Sequence, residues 1–188
     1  MARPGATVLR DRRVAFLRGI NLGPHRRIAM AQLREALGAA GLEEVRTYLQ
    51  SGNVILRSRA RPAALEARLQ ALIAERFAIE VAVIVRTGEE LHRVVEHDPL
   101  PAAAQDPKRY QVTFLAHELD QESLAGLRRL ASPSERLVAR DREIYSWHPD
   151  GVARSRLWAG LAGDRLGVTA TARNWSTVTN LDEMLQDE

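Results

Sequence analysis

The chain of 188 residues contains no cysteine. Disulfides, thiolate zinc centres and cysteine nucleophiles are thereby excluded. Lysine is almost absent as well: Lys108 stands alone beside 26 arginines. Aromatics make up only 5% of the residues. No apolar run approaches the ~20 residues that span a bilayer. Arg18 interrupts the one apolar segment near the N-terminus, which argues against a secretory signal. A cytoplasmic location with no membrane partner is therefore expected. The chain has neither the Gly-x-Ser-x-Gly nucleophile elbow nor a Walker-type phosphate loop. Its five histidines (His25, His92, His97, His117, His148) show no i, i+4 metal pairing. No metal and no cofactor is expected.

What remains is the composition of an ordinary globular protein, 45% hydrophobic and 27% charged, with a formal charge of +3. The arginine skew has two readings. Guanidinium forks match phosphate oxygens, and genomic preference for arginine codons gives the same count.

The order of elements repeats. Strand-like Val14–Ile20 is followed by a helical stretch, a hairpin, a second helical stretch and strand-like Val81–Val85. Strand-like Tyr110–Leu115 opens the same series again. From first strand to hairpin is 31 residues in one half (Val14 to Val45) and 26 in the other (Tyr110 to Arg136). From the hairpin's second strand to the closing strand is 27 (Val54 to Val81) and then 25 (Glu143 to Val168). Each half reads βαββαβ, the split-βαβ unit. The fold class expected is α+β, a tandem duplication of ferredoxin-like units with antiparallel sheets and helices on one face. Residues 1–12 read as a flexible leader, 13–97 as the first subdomain, 98–107 as a proline-rich linker, and 108–188 as the second subdomain with a C-terminal helix.

Local signals support this. Leu33 and Leu37 recur at helical spacing after Met30. Pro62 suits a helix start. Thr87-Gly88-Glu89-Glu90 matches a capping box. Asn21-Leu22-Gly23-Pro24 and Ser51-Gly52-Asn53 are turn chemistry, and Asn174 is placed to cap the last helix.

Strand alternation sorts the first half's side chains onto two faces. Ala15, Leu17, Val45, Leu49, Val54 and Leu56 form an apolar face suited to helices. Phe16, Arg18, Arg46, Tyr48, Gln50, Asn53, Ile55 and Arg57 form the other. Aromatics and arginines on a four-stranded sheet are how RNA-recognition modules stack bases. The same residues also fit an interface at which the two half-sheets pack together.

Two further constellations stand out. Arg173, Asn174 and Trp175 lie at a strand-to-helix junction, where free N–H groups favour anions. There Asn174 is otherwise a cap and Trp175 a core residue. Arg18 and Asn21 are expected beside Gln50 and Asn53 at one sheet edge, where asparagines commonly satisfy turns. Glu143, His148 and Asp150 are loosely clustered acid–base candidates that read as surface residues.

The segments Val14–Asn21, Tyr48–Val54, Asp150–Leu157 and Thr171–Val178 together resemble the hallmark segments of a bacterial family, domain of unknown function 1697. The resemblance runs from about Val14 to Leu185. It implies a duplicated ferredoxin-like α+β fold and implies no activity. Ala29 stands where relatives often carry Lys, and Pro24 replaces a usual Gly.

The function expected from these residues is binding of a phosphorylated ligand, either a nucleotide or single-stranded nucleic acid. Arg18, Asn21, Gln50, Asn53, Arg173 and Asn174 would be polar contacts, with Tyr48 and Trp175 as stacking platforms. Two alternatives stand beside it: a small-molecule enzyme with its site in the cleft between the halves, and a structural or oligomerising protein without a ligand.

Overall fold

The computed structural model describes residues 9, 11–22, 26–162 and 166–187. Gly23, Pro24 and His25, and most of the stretch read as a leader, lie outside the described residues. Of that stretch, Leu9 is buried and Arg12 is already the first residue of a strand.

The described residues form an α+β fold of two four-stranded antiparallel sheets and six α-helices. The chain divides into two compact units. One comprises residues up to Arg93 together with those from Leu181 onward; the other runs from Val94 to Asn180.

The first unit holds β1 (Arg12–Leu17), α1 (Met30–Ala39), β2 (Glu43–Tyr48), β3 (Asn53–Arg57), α2 (Pro62–Phe77) and β4 (Val83–Thr87), in sheet order β2-β3-β1-β4. Helix α3 (Gly88–Glu96) follows directly. Its start is the capping box read from sequence: Thr87 N donates to Glu90 Oε2 (2.7 Å) and Glu90 N to Thr87 Oγ1 (3.0 Å). Ala15, Leu17, Val54 and Leu56 pack with Leu33, Leu37, Leu65, Leu69 and Ile73 of α1 and α2. The apolar sheet face therefore meets the helices, as alternation requires.

The centre of the opposite face is closed too. Phe16 is 0%, Ile55 1% and Arg86 1% exposed. The last residues of the chain group with this unit, where Arg46 donates to the Met184 carbonyl and Arg12 to that of Asp187. An open aromatic and arginine platform is thus not formed by Phe16 and Ile55.

The second unit holds β5 (Tyr110–Leu115), α4 (Gln121–Leu130), β6 (Arg136–Arg140), β7 (Glu143–Trp147), α5 (Arg156–Ala162) and β8 (Ala170–Asn174), in sheet order β6-β7-β5-β8. A 3₁₀ turn (Ala103–Gln105) lies in the segment read as a linker. Helix α6 (Trp175–Gln186) ends the described chain. Leu115 and Ile144 pack with Leu127 of α4 and with Leu157 and Leu161 of α5. The register pairs Gln111 with Ser146 and Thr113 with Ile144, so the polar Gln111 and Ser146 share the helix-covered face. His148, just past β7, continues that alternation. It is 0% exposed, which corrects its reading as a surface residue.

Candidate functional site

A buried polar cluster and an open groove meet at one end of the second unit. The segment between α4 and β6 is Ser132-Pro133-Ser134-Glu135, which folds back on itself. Glu135 N donates to the Ser132 carbonyl (3.1 Å), and Ser132 N donates to Glu135 Oε2 (2.8 Å). This leaves Glu135 Oε1 facing His148 Nδ1 at 2.7 Å and the Ser155 hydroxyl, which donates to it. His148 Nε2 lies 2.9 Å from Ser146 Oγ. Ser155 Oγ in turn accepts from Trp158 N (2.9 Å), capping α5. The Trp158 ring meets the His148 ring edge-on at 5.8 Å. A turn with Gly151 at φ +83° carries the chain from His148 to the α5 cap, and Gly151 N donates to the His148 carbonyl (2.9 Å). That φ suits glycine, which carries no Cβ.

Burial opposes the ionisation of Glu135. Hydrogen bonds from Ser155, the Ser132 amide and His148 outweigh it, and the carboxyl is held below its ordinary range. A carboxylate only accepts, so the Nδ1 facing Glu135 is the donor of that pair, and Nε2 faces the Ser146 hydroxyl. Ser146, His148 and Glu135 thus stand in serine–histidine–carboxylate order. Ser146 and His148 are both 0% exposed, however, so no substrate atom reaches them as they stand. This geometry positions Ser155 and the loop before it.

Beside this cluster lies a groove of about 410 Å³, lined in part by Arg129, Arg154, Arg156, Asp150, Ser155 and Glu135. Its volume falls within the ~300–1,000 Å³ range of small-ligand sites. Among the described residues the guanidinium groups of these three arginines have no ion-pair or hydrogen-bond partner. An anion placed between them would meet unneutralised guanidinium forks.

The residues nominated from sequence fall in two places. In the first unit Asn21, Gln50 and Asn53 do come together at one end of the sheet, but through the main chain. Asn21 Nδ2 donates to the carbonyls of Ile28 (3.0 Å) and Gln50 (2.7 Å), and its Oδ1 accepts from Ile28 N (2.9 Å). Asn53, 0% exposed, donates to the Tyr48 carbonyl and to Ser51 Oγ, both at 3.0 Å. These amides hold turns, the ordinary work of asparagine there. Arg18 and Tyr48 are half-buried and Gln50 is exposed.

In the second unit Asn174 Oδ1 accepts from Thr177 N (2.8 Å) and caps α6. Trp175 is 7% exposed and stacks on Tyr110 with ring centroids 4.8 Å apart. Half-buried Arg173 donates to Thr171 Oγ1 and the Ala172 carbonyl, and burial draws its pKa down to about 10.

Sequence reasoning picked out His148 and Asp150 but missed Glu135 and the groove's arginines. The spacing Ser132-x-x-Glu135 was the available signal, since it is the capping-box pattern. Ser155 was already within the hallmark segment Asp150–Leu157.

A family model described as Protein of unknown function (DUF1697) matches residues 11–145. The chain belongs to that family. The DUF1697 chain is also similar to a solved structure, that of the conserved bacterial protein SP0830 from Streptococcus pneumoniae. The TM-score is 0.77 at 25% identity, over 93% of this chain and 98% of that one. A search of curated proteins gave no match. Among the described residues, no helix of the DUF1697 chain is long and apolar enough to cross a membrane.

Proposed function

We propose that the protein is a cytoplasmic binding protein for a phosphorylated ligand, taken up in the groove beside Ser155. The observation that carries this reading is the trio Arg129, Arg154 and Arg156, unpartnered among the described residues around one concavity. Arginine forks recognise phosphate oxygens through paired, charge-assisted bonds. A small ligand is favoured over nucleic acid on the sheet, because Phe16 and Ile55 are closed to a stacking base. The shared strand orders β2-β3-β1-β4 and β6-β7-β5-β8 support a tandem duplication of one ferredoxin-like unit as the origin of this scaffold. The repeats of that reading are residues 13–97 and 108–188, joined by 98–107, with the residues of the second repeat from Leu181 onward grouping with the first compact unit.

The test is thermal unfolding with inorganic phosphate, sugar phosphates, nucleotides and short single-stranded oligonucleotides, at low and moderate salt. A ligand at 100 times its Kd adds ~2.7 kcal/mol, or roughly 5–11 °C for a chain of this size. Arg154→Ala removes a charge-assisted contact worth about 1.5–3 kcal/mol, so affinity should fall roughly 10- to 160-fold. Arg173→Ala should leave it unchanged. The reverse pattern would move the site to the Arg173–Trp175 junction. A response confined to oligonucleotides, fading with salt, would replace the small ligand with nucleic acid.

A further inference from the structure

The same groove carries information about the rest of the ligand, and this inference rests on the phosphate reading above. Asp150 lines the groove opposite in charge to the arginines, and among the described residues it has no ion-pair or hydrogen-bond partner. An ionised carboxylate is an acceptor only. Beside a phosphate it repels the anion, so it suits a ligand only if something on that ligand donates to it. The remaining lining residues reinforce the point. Among the described residues no aromatic side chain lines the groove, whereas a nucleobase is ordinarily recognised by stacking on one. Trp158, the nearest candidate by sequence, has its ring against His148. Ser155 is already committed as donor to Glu135 and acceptor from Trp158 N. Among the described residues Asp150 is therefore a lining acceptor without a partner, and the three arginines are lining donors without one.

We infer that the ligand is a phosphorylated sugar or polyol, with its phosphate held by Arg129, Arg154 and Arg156 and its hydroxyl groups donating to Asp150. A hydroxylated, non-aromatic body answers both features. Its O–H groups offset the charge of Asp150, and it needs no stacking surface.

The experiment is calorimetric titration of the full chain and of Asp150→Asn with inorganic phosphate, glucose 6-phosphate, ribose 5-phosphate and AMP. In the unaltered protein the sugar phosphates should bind at least about tenfold more tightly than inorganic phosphate, and AMP no more tightly than ribose 5-phosphate. In Asp150→Asn that advantage should shrink, while inorganic phosphate binds equally or more tightly because a repelling charge is gone. These opposite signs separate ligand contact from damage to the fold, which would weaken every ligand together. An unchanged melting temperature provides a second check. AMP binding more tightly than ribose 5-phosphate, or a sugar-phosphate advantage that survives Asp150→Asn, would overturn the inference and leave phosphate binding standing. Failure of all four compounds to bind would overturn both.

Discussion

At the scale of single residues, Glu135 shows how environment decides what a side chain does. Three donors converge on a carboxylate that is 9% exposed. Its folded pKa lies below the ordinary value of 4.5. For an acid depressed by folding, the stabilisation is fully present above the unfolded pKa and is lost as pH falls through the folded one. The protein should therefore lose stability as the medium is acidified below about 4.5, in part through this group. Glu135→Gln removes the titration and turns an amide N–H toward a donor, which costs about 1–3 kcal/mol at neutral pH. The gap in melting temperature between the two proteins should narrow between neutral pH and about pH 3.5. A gap that stays constant over that range would assign the acid sensitivity elsewhere. None of this was legible from Glu135 alone. Two of its three partners lie 13 and 20 residues further along the chain, and their burial depends on β7 pairing in one register. His148 was misread for the same reason, since a histidine after a strand carries no mark of being covered.

At the scale of elements, legibility followed how local the physics is. The box at Thr87 and Glu90 and the cap at Asn174 each lie within one turn of their partner, and both formed as read. Strand limits drifted where alternation gives no stop signal. The fourth strand reads from Val81 but pairs only from Val83, and the last reads from Val168 but pairs from Ala170. The end of α2 had no signature at all. It stops at Ala78, at φ +54°, a left-handed conformation that glycine adopts more readily. Alanine there meets a Cβ clash that glycine lacks, partly offset by glycine's larger unfolded-state entropy. Ala78→Gly should stabilise the protein by about 0.5–1 kcal/mol, a rise of roughly 1–4 °C in melting temperature. A fall would mean that chain entropy outweighs the backbone strain. Gly52 is the opposite case. At φ +73°, an added Cβ would lie 2.8 Å from Leu17 Cβ and Ile20 Cδ1, so the hairpin turn of the first unit accepts only glycine without displacement.

At the scale of the molecule, the repeated strand–helix order was visible because strands and helices carry different hydrophobic periods, and both sheets adopt equivalent strand orders. The course of the C-terminal helix was not visible, because an amphipathic helix does not say which surface it covers. Residues from Leu181 onward group with the first unit, although more than 80 residues separate them from it in sequence. Leu181 and Leu185 are both 0% exposed there. Asp182 meets His92 (3.1 Å) and Gln186 (2.9 Å), and the Met184 and Asp187 carbonyls accept from Arg46 and Arg12. The last turns of the chain are thus a structural part of the first unit. A chain ending at Asn180 loses two buried leucines, each worth about 2–5 kcal/mol in truncation to alanine, together with these tethers. Because total stability is typically only about 5–15 kcal/mol, the first unit of the shortened chain should melt far below that of the intact one. The check is calorimetric unfolding of the shortened chain beside Leu185→Ala, which keeps the tethers and removes one side chain. If Leu185→Ala alone costs a few kcal/mol and the shortened chain costs more, burial and tethers act together. A shortened chain that melts like the intact protein would show that β1–β4 and α1–α3 hold their own core without it.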